Sequence, residues 1–229
     1  MFKKLVFIFL FLLSINVFSN TKREVVFKHW KISWNESSCV IINEKKGEKK
    51  LLYQNKNTKH LKEKLGYWER VDYRMLSIVG PFISYELNYY HEGGAHPSYG
   101  KLYKTYNLLT GREARLTDIY SASYILRQLK RDRVIKRALR GRRPRSLEYL
   151  FDMVDGGCDM YISDDLLSAF AIHHIIRGKV AIRIGLPHGC EAKRGNFTQL
   201  GIYFPIPRKY RKVFYQAKKK KLLMKNFIR

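Results

Sequence analysis

The chain has 229 residues, of which 45% are hydrophobic and 14% aromatic. That is enough apolar side chain to bury a substantial core, and it excludes intrinsic disorder over most of the length. The formal net charge of +26 makes the surface attractive to polyanions and repellent to any partner that is itself strongly basic.

Lys3 and Lys4 precede an unbroken apolar run, Leu5 to Leu13, and Val17-Phe18-Ser19 supplies permissive residues at cleavage positions. This pattern reads as a signal peptide over residues 1–19, cut between Ser19 and Asn20; the run is short for an anchor or a membrane span. The mature product is therefore expected to be periplasmic or secreted, with no membrane span after signal removal. Residues 20–74 read as an N-terminal β-rich part. Val25-Val26-Phe27 opens it, and Cys39-Val40-Ile41-Ile42 and Leu51-Leu52-Tyr53 flank a polar turn at Lys45 to Lys49 in hairpin fashion.

Ile83, Tyr85, Leu87 and Tyr89 alternate with Ser84, Glu86 and Asn88, the period-2 pattern of a half-buried strand. After the glycine–histidine loop Gly93-Gly94-Ala95-His96-Pro97, a return strand runs from Tyr99 to Leu109 and closes at Thr110-Gly111. Gly93 and Gly94 permit positive φ and close backbone approach, and Pro97 fixes the exit. Ala122 to Arg140 carries helix formers, but its apolar residues fall on two sides. A kink or break is expected near Arg131-Asp132-Arg133, and a second helix from Pro144 to Leu150. Strands return at Phe170 to Ile176, Val180 to Leu186 and Leu200 to Ile206. Pro205 and Pro207 put the last of these at an edge or end it. Residues 208–225 read as a basic helix or tail. The expected class is α+β, an antiparallel sheet with a helical insertion packed on one face.

Candidate chemistry is sparse. His91 and His96 are five apart across two glycines, which rules out a zinc-protease helix; a loop metal site with His188 lacks supporting spacing, so no metal and no cofactor are expected. His173 and His174 are adjacent on a strand and should point to opposite faces. Asp152, Asp155, Asp159, Asp164 and Asp165 cluster without the offsets of a calcium loop, and no serine elbow is present. No catalytic residue is assigned. An oxidising compartment favours one disulfide among Cys39, Cys158 and Cys190. Three pairings are open in principle, and the two Gly-Cys sites beside neighbouring strands favour Cys158–Cys190, leaving Cys39 free or paired between molecules.

Basic segments are the strongest chemical signal. Arg127 to Arg145 holds ten Lys and Arg against the single acid Asp132, and Arg208 to Arg229 holds ten against none. Arg131, Arg137, Arg140, Arg142 and Arg143 are the candidate polyanion contacts, with tyrosines available to stack on sugar or base. The plainer reading is a solvated basic surface, with most tyrosines filling strand faces.

The glycine–histidine loop, followed by Tyr106-Asn107-Leu108-Leu109-Thr110-Gly111 and Leu116-Thr117-Asp118-Ile119-Tyr120, resembles the RsiV-like extracytoplasmic domain family. The motif-bearing overlap covers residues 82–120, the expected domain 75–215, and a basic tail 216–229. The resemblance implies an α+β binding domain of the kind found in lysozyme-sensing anti-sigma factors, with Gly93, Gly94, His96, Pro97 and Tyr99 as the candidate binding loop. With four residues ahead of the apolar run, an anti-sigma factor of the usual kind is not expected. Lysozyme, itself basic, is disfavoured by charge. The expected function is a non-catalytic binding module of the bacterial cell envelope that recognises a cell-wall or polyanionic partner. The alternative is a cell-wall glycan hydrolase or deacetylase, or its accessory domain, which a pocket joining His96 to one of the aspartates would favour.

Overall fold

The computed structural model describes residues 22–55, 68–92, 98–154, 162–186 and 197–227, with backbone alone at 68, 69, 91, 92 and 98. The described residues form an α+β protein with three antiparallel sheets. The first is a meander of β1 (Arg23–Phe27), β2 (Trp30–Trp34), β3 (Ser38–Asn43) and β4 (Glu48–Gln54). Alternation along β3 buries Cys39, Ile41 and Asn43 and leaves Ser38, Val40 and Ile42 half-buried, as a strand with one packed face requires.

The central sheet has the order β5 (Trp68–Val79), β6 (Phe82–Glu92), β7 (Ser98–Asn107), β8 (Arg112–Glu113). Gly80 (φ +57) and Pro81 make the two-residue turn from β5 to β6, where Val213 closes over the glycine and leaves no room for a Cβ. One face of this sheet packs on the meander: Ile83, Tyr85 and Tyr106 meet Ile32, Trp34, Ile41 and Tyr53.

The opposite face is covered too, which the alternation in β6 did not predict. The third sheet, in the order β11 (Thr198–Pro205), β10 (Lys179–Leu186), β9 (Phe170–Ile176), lays β9 across β5, β6 and β7. Ser84 is therefore fully buried and Glu86 is 2% exposed, although both lie on the polar face of the pattern. Burying hydroxyls requires partners. The Thr105 hydroxyl donates to the Phe170 carbonyl at 2.6 Å and lies 2.9 Å from Ser84 Oγ, which also accepts from the Ile172 N–H at 3.4 Å. A hydrogen-bonded stitch thus fixes β9 against the central sheet. The two terminal prolines of the sequence pattern sit where expected, since β11 is an edge strand.

The helical insertion falls between β8 and β9. It comprises α1 (Ala122–Leu129), α2 (Arg133–Ala138) and α3 (Leu147–Met153), flanked by short 3-10 turns at Leu116–Asp118 and Asp164–Leu167. It packs on one face of the third sheet, where Ile125, Leu129, Ile135 and Leu150 share a core with Val180, Ile182, Leu200 and Phe204. The break expected near Arg131–Arg133 is present. Asp132 leaves the helical conformation (φ −68, ψ 140), and its carboxylate accepts the N–H groups of Val134 and Ile135 as the N-cap of α2. The helix expected from Pro144 starts later: Ser146 caps it by accepting the Tyr149 N–H, and it runs on to Met153.

After β11, α4 (Arg211–Lys219) buries Phe214 and Ala217, and α5 (Met224–Phe227) buries Met224. Between them the Leu222 carbonyl accepts the Ile78 N–H of the edge strand β5 at 2.9 Å. The basic C-terminal segment therefore docks on the fold and protects an exposed sheet edge.

Candidate functional site

The hairpin that leads into the glycine–histidine loop is described; Gly93, Gly94, His96 and Pro97 themselves lie outside the described residues, as do His188, Cys158, Cys190, Asp155 and Asp159. The arms pair in register, Tyr90 with Tyr99 and Tyr89 with Gly100. The Tyr89 ring lies over Gly100 so closely that any Cβ there would collide with it, which explains a glycine inside a strand. Tyr99 is 52% exposed, so the hairpin end presents an open phenol face.

Cys39 has no disulfide partner and is fully buried, and burial pushes its thiol up to about 12. A thiol so protonated is no nucleophile near neutral pH. The described aspartates do not converge. Asp152 is exposed on α3, Asp164 pairs with Arg115, and Asp165 is exposed in the following turn.

Arg131, Arg137, Arg140, Arg142 and Arg143 are all exposed on the helical layer, joined by Arg133, Lys136 and Arg145. The one acid of the segment, Asp132, is occupied with backbone N–H groups. Among the described residues no carboxylate lies within ion-pair reach of Arg131, Arg137, Arg142 or Arg143. The chain reverses after α2 through Arg140 (φ +47) and Gly141 (φ +85), and Arg142 Nε then donates to the Leu139 carbonyl at 3.2 Å. This turn joins α2, which carries Arg137, to the exposed Arg142 and Arg143. Asp132→Ala removes the cap and is expected to lower the unfolding free energy by about 1 kcal/mol in a urea titration, without weakening polyanion binding. A loss of binding together with an unchanged urea midpoint would reverse that assignment.

Two further features were not legible as sites. His173 and His174 do not point to opposite faces. The ladder between β9 and β10 slips at Ala181/Ile182, so that Ala181 pairs with His174 and Ile182 with Ile172. His173 is the extra residue of a β-bulge, and the bulge brings both imidazoles together. Their Nδ1 atoms are 2.6 Å apart and the rings meet edge to face at 4.8 Å, with Tyr203 edge-on to His174 at 5.9 Å. Burial, with the nearby Arg183, holds His173 down at about 4; burial and Lys225 also lower His174.

The second feature is a cleft beside β5. Its two lobes, of about 640 and 700 Å³, share Arg23, Trp34 and Phe227. At the inner end Glu86 accepts from Arg74 at 3.0 Å and Asn88 at 2.9 Å, and pairs with Lys101 at 3.3 Å. The clue in the sequence was a carboxylate, Glu86, in the middle of an aromatic strand. A solvated polar face accounts for it equally well until the third sheet is seen.

No protein-family model matches this chain, and none of the curated proteins is a significant match to it. No helix among the described residues is long and apolar enough to cross a membrane.

Proposed function

We propose that this protein is a non-catalytic binding module of the bacterial cell envelope, exported to the periplasm or beyond, that holds an anionic polymer on its helical face. Its kinship with the RsiV-like family, read from the hairpin and turn motifs, is part of the same proposal. The supporting observation is that Arg131, Arg137, Arg142 and Arg143 stand exposed around α2 and the turn after it, with no ion-pair partner among the described residues and with Asp132 committed to a helix cap. Exposed cations on a packed scaffold bind polyanions by releasing counterions, with log affinity that falls linearly in log salt. Lysozyme, a basic protein, is not the partner such a face selects.

The test uses polyglycerol phosphate and polygalacturonate, with affinity measured from low to physiological salt. Changing Arg131, Arg137, Arg140, Arg142 and Arg143 together to Gln is expected to weaken binding at least ten-fold at low salt. If each of the five cations meets one charge of the polymer, the magnitude of the slope of log K against log salt falls by about 3.5, at about 0.7 per contact. Parent-like binding by the five-fold variant refutes the assignment of this face. Hydrolysis of either polymer by the parent protein refutes the non-catalytic reading.

A further inference from the structure

The cleft beside β5 is a separate site from the helical face, and its lining has a definite chemistry. The half-buried Phe227 of α5 and the half-buried Tyr73 of β5, itself stacked on Tyr53, form an aromatic rim, with Trp34 of β2, only 6% exposed, beneath Phe227 at 6.1 Å between ring centres. Arg23, Lys220 and Lys221 line the outer lobe, and none of them has an ion-pair partner among the described residues. Glu24, in the same lobe, is already held by Lys22 and Lys31. In the inner lobe Arg23, Arg74 and Lys101 face Glu36, Asp72 and Glu86, so its formal charges cancel, and the buried Glu86 is held by Arg74 and Lys101.

The backbone at the outer lobe is also unusual. Lys221 adopts φ +57 at the end of α4, a place where glycine is the usual residue. The reversal directs the chain into Leu222, whose carbonyl is tied to β5, and leaves Lys220 and Lys221 lining the cleft.

We propose that this cleft binds an acidic saccharide, with a sugar ring against the Phe227–Tyr73 rim above Trp34 and carboxylates reaching Arg23, Lys220 and Lys221. Both lobes fall within the volume range of ligand sites, roughly 300–1,000 Å³, and their charged, partly aromatic lining suits a polar ligand better than an apolar one. A neutral sugar leaves the three unpaired cations unmet. A small inorganic anion leaves the aromatic rim unused. A short acidic oligosaccharide answers both.

The probe is trigalacturonic acid, followed by tryptophan fluorescence and by calorimetry on the full chain. Saturable binding with a change in tryptophan emission is expected. A variant with Arg23, Lys220 and Lys221 all changed to Gln should bind at least ten-fold more weakly, and since all three side chains are exposed its fold should be intact by circular dichroism. The five-fold Gln variant of the helical face should bind the trisaccharide like the parent, which separates this site from the polymer-binding face. Equal binding of neutral cellotriose, displacement of the trisaccharide by millimolar inorganic phosphate, or parent-like affinity of the triple variant would each overturn the proposal.

Discussion

Phe204→Ala is expected to be among the most destabilising single changes in this protein, lowering the unfolding free energy by about 3–5 kcal/mol. Phe204 is fully buried on β11 and stacks on Tyr120 with ring centres 4.3 Å apart and planes 23° from parallel; Tyr124 lies 6.0 Å away. It therefore joins the third sheet to the start of the helical layer, and truncation opens a cavity lined by side chains from both. The loss is a large part of the stability of an ordinary domain, roughly 5–15 kcal/mol. Urea denaturation measures it. The neighbouring Tyr203, 44% exposed on the other face of the same strand, supplies the control: Tyr203→Ala loses an edge contact with His174 and should cost no more than about 1 kcal/mol. Near-parent stability for Phe204→Ala would mean that the helical layer is anchored elsewhere, and with it the basic face that the layer presents.

The difference between these two adjacent residues was visible in the sequence. Leu200, Ile202, Phe204 and Ile206 alternate with exposed or half-buried residues, and all four are buried. The same logic gave the hairpin of β9 and β10, whose two-residue turn, Arg177 (φ +46) and Gly178 (φ +72), lies between the predicted strands. It also gave the break at Asp132, because apolar residues on two sides of one helix cannot share a core unless the helix bends. Periodicity reports whether a residue meets a packed face. It does not report how many layers the fold has. Ser84, Glu86 and Thr105 have the spacing of a solvated face, yet β9 covers them, and only their hydrogen bonds to one another, to Arg74 and Lys101, and to the β9 backbone make that burial tolerable.

Sites fared worse for a related reason. The arginines of 131–143 could be read as a group because they are close in sequence. The β5 cleft draws Arg23, Trp34, Arg74, Lys101, Lys221 and Phe227 from six separate elements or turns, and no window of sequence contains them together. A bulge is equally invisible. It changes side-chain direction by one residue, and nothing in Ile172-His173-His174-Ile175 marks which of two histidines is the extra one.

That bulge leads to a pH dependence. Stability is expected to fall as the pH drops from about 6.5 to about 4, by roughly 2 kcal/mol from the His173–His174 pair once the solvent that reaches the half-buried His173 ring is discounted. The two Nδ1 atoms at 2.6 Å can share one proton, one nitrogen donating and the other accepting. A second proton would set two donors against each other. The groups facing the pair also oppose it: Arg183 on β10 and Lys225 on α5 are cations, and Tyr203 on β11 offers a ring edge. His173 therefore titrates near 4 in the fold and near 6.5 in the unfolded chain. Between those values the unfolded chain binds more protons, so the pair's contribution is fully present above about 6.5 and is lost as the pH falls toward 4. Urea titrations of the parent and of a His173→Gln, His174→Gln double variant, at pH 7 and pH 4.5, isolate the effect from the carboxylates that titrate in both. The parent should lose roughly 2 kcal/mol more than the variant across that interval. Equal losses would show that the imidazoles titrate alike in the folded and unfolded chain, and that the bulge places them in contact without coupling their protons.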